Sequence, residues 1–257
     1  MRSAAIVAAV LLISGLAVAG PCTAPTVVPA DGRIVDFDFV PQSASNFYQF
    51  TASAGHSYSV EVRQDYDDVN ADVTATLSGP AGTCPTPAAL AGTNDTTAAD
   101  PALPANATRV SFTAATSGAH RIQVANANVG AGRYISVSVS DTTAYNVRWS
   151  TFGTFITQWG FQNTTSQDIA GTLKTTTTLG GTGTNTISFV VPANSQIFKI
   201  IAATSPPGDI SVGAGKAGFA VFTHNGPPGG ILTDAFFINS AATVIVPSVF
   251  EPVRQSR

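Results

Sequence analysis

Charge is what this 257-residue sequence has least of. Asp, Glu, Lys and Arg together make up 11%, less than half of the roughly 25% in an average soluble domain. Histidine occurs three times and cysteine twice. His56 follows Gly55 in a turn, His120 lies in an alternating stretch, and His224 precedes Asn225-Gly226. None of them belongs to an H-E-x-x-H or similar metal spacing. The serines form no G-x-S-x-G elbow, and the glycine-rich stretches lack the G-K-[ST] ending of a phosphate loop. Lys and Arg form no cluster, so the electrostatic footprint of a nucleic-acid binder is missing. After residue 20 no apolar run reaches the roughly 20 residues of a membrane span. These absences exclude nucleic-acid binding, a transmembrane span in the mature chain and the common nucleophilic, metal and nucleotide chemistries. The sequence reads as a non-enzyme without a cofactor.

What is present begins at the N-terminus. Met1-Arg2-Ser3 is short and positive, Ala4 to Leu16 is apolar apart from Ser14 and Gly15, and Ala17-Val18-Ala19 ends in small residues. This layout predicts a secretory signal peptide over 1–19, cut between Ala19 and Gly20. The mature protein is then secreted or extracellular, in the periplasm or on the cell surface. In an oxidising compartment Cys22 and Cys84 are expected to pair. Closing a loop of that length is worth about 4 kcal/mol in the chain-entropy model. A lipidated Cys22 is disfavoured because Pro21 occupies the place where a lipid-attachment site has a small residue.

Hydrophobic residues reach 44%, ample for cores, and Thr, Ser and Asn replace charge on the polar side. Residues 20–30 form a Pro/Thr/Ala leader. Period-2 alternation then starts: Val35, Phe37 and Phe39; Tyr58, Val60 and Val62; Val73, Ala75 and Leu77; Ile135, Val137 and Val139. One apolar and one polar face per short segment predicts half-buried antiparallel strands. The run from Thr83 to Ala107 is polar and proline-bearing, and reads as a long loop. Alternation pauses near Ser140–Ala144, which predicts a boundary between domains at 31–142 and 145–250, with 251–257 as a tail. In the second domain Phe155, Trp159 and Phe161 share a face, Ile169–Thr178 runs into a Gly180–Gly183 hairpin turn, and Gln196–Ala202 is apolar on both faces and reads as central. Seven or eight strands result, the number of an immunoglobulin-like sandwich. The predicted fold class is all-β: two antiparallel β-sandwiches, jelly-roll-like and then immunoglobulin-like.

Three segments carry a family resemblance. They are Asn46-Phe47-Tyr48-Gln49-Phe50-Thr51-Ala52-Ser53-Ala54-Gly55-His56, Ser117-Gly118-Ala119-His120-Arg121-Ile122-Gln123-Val124 and Gly132-Arg133-Tyr134-Ile135-Ser136-Val137. Through them residues 31–140 resemble the bacterial pre-peptidase C-terminal domain, a small jelly-roll sandwich of secreted proteins. His120 stands where that family usually has an aromatic residue. The resemblance implies an accessory role in export, folding or attachment. Residues 145–250 resemble bacterial immunoglobulin-like modules in outline.

Two constellations remain. Asp65, Asp67, Asp68, Asn70 and Asp72 cluster oxygen ligands in one turn, the donor type calcium prefers. Residues 31–100 carry ten acidic against two basic side chains, so a structural calcium there would relieve repulsion. The other reading of the run is a solvated turn. Tyr48, Tyr66, Tyr134 and Trp149 are candidate glycan-facing aromatics, whereas Trp159 is in register with core positions. Two functions follow: a non-catalytic surface, adhesion or accessory module meeting a cell-surface protein or glycan, and a carbohydrate-binding module. A hydrolase is a third, without an acid–base pair to support it.

Overall fold

Alternation becomes strand wherever the chain is described. The computed structural model describes residues 21–64, 73–79, 89–94, 107–126, 132–239, 245–248 and 250–252. Among these residues there is no helix.

In the first sandwich the strands are β1 (Thr26–Val27), β2 (Asp31–Val40), β3 (Ser45–Ala52), β4 (Ser57–Gln64), β5 (Val73–Ser78), β6 (Ala89–Asn94), β7 (Ala107–Thr113), β8 (Gly118–Asn126) and β9 (Arg133–Asp141). One sheet runs β1-β3-β8-β5-β6 and the other β2-β9-β4-β7. Successive strands cross between sheets except β5 and β6, which pair directly, and every pair is antiparallel except β1 with β3. Tyr48, Phe50, Tyr58, Val60, Ile122, Val124 and Val137 fill the space between the sheets.

Three sequence expectations give way here. The 20–30 leader is built into the sandwich: β1 pairs with β3, and Val28 and Ala30 are core residues. The expected Thr83–Ala107 loop contains β6, which pairs with β5. Its Ala-Leu-Ala-Gly sequence carries no polar and apolar alternation from which a strand could be read. In β2 the register with β9 shifts between Asp31 and Ile34 and again between Val35 and Asp38. Each bulge inserts a residue and turns the following side chains over. The second bulge, after core-packed Val35, leaves Phe39 facing solvent at 41% exposure and Asp38 buried at 1%. Asp38 accepts a very short hydrogen bond from the Tyr48 hydroxyl. Burial, then that bond and the charge of Asp38, push the Tyr48 pKa up, so the phenol stays protonated.

The second sandwich comprises β10 (Ala144–Ser150), β11 (Phe155–Asn163), β12 (Ile169–Leu179), β13 (Gly183–Val191), β14 (Gln196–Ala202), β15 (Ile210–Ser211), β16 (Ala217–His224), β17 (Ile231–Asn239), β18 (Ile245–Ser248) and β19 (Phe250–Pro252). Its sheets run β13-β12-β16-β10-β19 and β15-β14-β11-β17-β18. The alternation count missed β10, β15 and β19; the last two are only two and three residues long, too short to show a period. Pairing of β19 with Ala144–Asn146 brings Glu251 and Pro252, expected in a tail, into the sheet. Trp149, Trp159, Phe161, Leu173 and Phe222 make the core, with Phe161 and Phe222 rings 4.5 Å apart. The β12–β13 hairpin forms at the expected glycines. Gly180 has φ +78°, and a Cβ there would strike the Gly215 carbonyl, so both conformation and space demand glycine. β14 is not central: its outer neighbour is the two-residue β15.

Candidate functional site

A set of convergent polar side chains lies where the two sandwiches meet. β9 ends at Asp141 and β10 begins at Ala144, so Thr142 and Thr143 alone carry the chain across. His56, at the turn before β4, lies between the ends of both strands. Its Nδ1 is 2.8 Å from Asp141 Oδ2 and its Nε2 2.8 Å from the Tyr145 hydroxyl. The Asp141 side chain is 3% exposed and that of His56 16%. Asp141 Oδ1 also accepts the Thr143 N–H at 3.0 Å.

A carboxylate accepts, so His56 donates its Nδ1–H to Asp141, and its Nε2 shares a hydrogen bond with the Tyr145 hydroxyl. Burial, followed by the charge of Asp141, raises the Tyr145 pKa, so that hydroxyl stays protonated. Carboxylate, imidazole and phenol in a row is a proton-relay layout, but here the terminal hydroxyl is a poor nucleophile tied to the ring. The three side chains are hydrogen-bonded to one another across the passage from β9 to β10.

Ser57 makes a second set of ties. Its N–H donates to Thr143 Oγ1 at 2.9 Å, its carbonyl accepts the Thr142 N–H at 2.9 Å, and its hydroxyl pairs with Thr142 Oγ1 at 2.8 Å. The same hydroxyl accepts the His224 N–H from the end of β16 at 3.3 Å. His224 Nδ1 in turn accepts the Gly226 N–H at 3.1 Å. Burial, then the positive charge of Arg109, pushes the His224 pKa down to about 4, so this histidine is neutral at physiological pH. No spacing in the sequence links His56, Asp141, Tyr145 and His224; each lies on a different element, and only folding assembles them.

Two clefts flank the junction. One of about 290 Å³ lies between the β2–β9–β4 face and Pro228, lined by Ser136, Ser138, Ser140 and Glu61. Glu61, its single carboxylate, is held by Arg63 at 3.1 Å and Arg109 at 3.8 Å. The other, of about 460 Å³, lies between Thr113 and the outer face of β12, β13 and β16, with no carboxylate in its lining. Neither cleft offers the paired carboxylates of a glycosidase.

The aromatic candidates separate. Tyr48 and Trp149 are fully buried, which corrects their assignment as glycan-facing. Tyr48 turns inward to reach Asp38, and Trp149 donates its Nε1–H to the Phe219 carbonyl at 3.0 Å. Tyr134 is 36% exposed beside Phe39, which sequence parity had placed inside. Their ring centroids are 5.0 Å apart with planes 52° to each other. Tyr66 and the acidic residues Asp65, Asp67, Asp68, Asn70 and Asp72 lie outside the described residues. Among the described residues no group of three or more His, Cys, Asp or Glu is placed to hold a metal. Cys22 is buried at 8%, and no described cysteine is free; Cys84 lies outside the described residues.

No family model matches the chain, and no curated protein does. Among solved structures, a domain of a collagenase from Bacillus anthracis is similar at 14% identity and a TM-score of 0.32, covering 45% of this chain and 93% of that chain. It is a pre-peptidase C-terminal domain. A putative uncharacterized protein from Burkholderia cenocepacia is similar over 82% of this chain and 83% of that chain, at 9% identity and a TM-score of 0.30. At these scores neither likeness bears on function, and the all-β sandwich fold rests on the sheets themselves. The collagenase domain is of the family that residues 31–140 resemble. In the segment similar to the Ser-Gly-x-Tyr strand of the pre-peptidase C-terminal domain, His120 is 1% exposed and lies 5.8 Å from the Phe50 ring and 5.5 Å from that of Phe112. It fills an aromatic position as an aromatic.

Proposed function

We propose that the chain is exported by a bacterium, cut after Ala19, and works outside the cytoplasm as a non-catalytic surface, adhesion or accessory module. The observation that carries this reading is the junction. His56, Asp141 and Tyr145, the side chains best suited to chemistry, are consumed in joining one sandwich to the other across a two-residue link. A two-sandwich unit tied in this way suits a protein that presents surfaces rather than one that turns over substrate. Carbohydrate binding is the second reading, and Phe39 beside Tyr134 is the observation that favours it. A tilt of 52° makes a ridge, however, where a sugar ring stacks on a flat face.

Two measurements test the proposal. The product released from cells should begin at Gly20 and, unreduced, react with no thiol reagent, because Cys22 and Cys84 are paired. An intact mass retaining Met1, or one showing an alkylated cysteine, would overturn export with oxidation. The purified mature protein should co-sediment with intact bacterial cells and show no esterase, glycosidase or peptidase turnover. Turnover that disappears in a folded His56→Phe variant would make the junction an active site and end the non-catalytic reading.

A further inference from the structure

The outer face of the sheet β15-β14-β11-β17-β18 is apolar where a solvated face should be polar. In β11 the core takes Thr157, Trp159 and Phe161, so Ile156, Gln158, Gly160 and Gln162 point outward. Strand register extends that face sideways: Gly160 lies between Phe198 and Asp234, Gln158 between Ile200 and Phe236, and Ile156 beside Ile238, which meets Ile245. Phe198 is 49% exposed, Leu232 54% and Ile245 66%. A one-sided antiparallel sheet normally alternates apolar-in and polar-out, and a contiguous apolar patch of this kind marks an interaction surface.

A second observation lies at the centre of the patch. Gly160 leaves a gap on the outer face, and the Asp234 carboxylate lies in the space its Cβ would take. Asp234 Oδ1 is buried there without a hydrogen-bond partner. A buried acceptor left unmade is costly; this chain itself encloses Oδ1, so N–H donors brought to the face complement Asp234 as a negative charge on an otherwise apolar surface.

We propose that the occupant is a second copy of this chain, packed sheet on sheet about a two-fold axis. The face carries its own donors, the amides of Gln158, Gln162 and Gln196, so a rotated copy lays amides over Asp234 and apolar rows over apolar rows. With the axis away from Asp234, each carboxylate meets glutamines rather than the other carboxylate. Four strands about 4.8 Å apart and about 25 Å long give roughly 500 Å² of flat sheet per copy. Twice that area, about 1,000 Å², is the lower bound for a specific interface, so the dimer forms reversibly and not as an obligate pair. An anionic membrane fits less well, since surface-binding faces carry Lys or Arg around the apolar stripe and the described outward residues here include neither.

Sedimentation equilibrium of the full mature chain, from low to high micromolar, tests this. The expected result is a concentration-dependent dimer. Phe198→Glu with Leu232→Glu should weaken it by at least about 30-fold, the effect of losing a central hot spot. Leu179→Glu, an exposed position on the other sheet, should leave it unchanged. If the double variant does not fold, Ile245→Glu carries the same expectation. A monomer at every concentration overturns the proposal, whether or not it binds phosphatidylcholine vesicles, which would identify a lipid surface as the occupant. A dimer indifferent to these substitutions overturns it equally.

Discussion

Trp149→Ala will destabilise the second sandwich by about 3–5 kcal/mol, the cost of truncating a large aromatic in a close-packed core. Trp149 is fully buried among Trp159, Leu173, Ala220 and Phe222. Its indole N–H is bonded to the Phe219 carbonyl at 3.0 Å, and the Gly218 α-carbon leaves room for its ring at a distance where a Cβ would sit 3.0 Å away. Removing the ring opens a cavity and leaves that carbonyl without its donor. Because the two cores share no residue, the first sandwich should keep its own transition. Both tryptophans of the protein belong to the second core. Fluorescence of the remaining Trp159 in urea therefore follows that sandwich alone, while far-ultraviolet circular dichroism follows both. A midpoint unchanged in fluorescence would show Trp149 to be peripheral. Were the ring glycan-facing, the substitution would cost binding and spare stability.

Acidification between pH 6.5 and 4 will remove about 3 kcal/mol of stability through His224 alone. Its pKa is lowered from 6.5 to about 4 in the folded protein, by burial first and by Arg109 second. Above pH 6.5 neither state binds the proton, and the contribution is fully present. Below it the unfolded chain takes up a proton that the folded chain refuses, and stability falls with pH until the folded pKa is reached. Each pH unit costs about 1.4 kcal/mol. The structural consequence is local: protonated Nδ1 can no longer accept from Gly226, and the charge arrives in a buried place that already feels Arg109. His224→Asn keeps an acceptor near the Nδ1 position and does not titrate. Urea denaturation of both proteins across this range should give curves that diverge toward acid. Parallel curves would show that His224 is not the group responsible.

The sequence by itself determined the class of this protein. Low charge, abundant Thr and Ser, and alternation at Val60–Val62, Val73–Leu77 and Ile135–Val139 specify half-buried antiparallel strands, because a side-chain period of two matches the pleat. Gly180 and Gly181 specify the hairpin, because only glycine takes their positive φ angles at no cost. The pause at Ser140–Ala144 coincides with the passage from β9 to β10. Tertiary structure decided the rest. The β2 bulge between Val35 and Asp38 reverses the parity that puts Phe39 inside and Asp38 outside, and a bulge depends on the partner strand, not on the local pattern. β6, β15 and β19 have no period to read, and are strands by their pairing with neighbours. His56, Asp141, Tyr145 and His224 come from separate strands and turns, and the apolar face around Asp234 emerges only when four strands align. Periodicity reports which way a side chain points within one strand; where strands lie against one another is set by non-local packing and pairing, so sites assembled across strands carry no local signature.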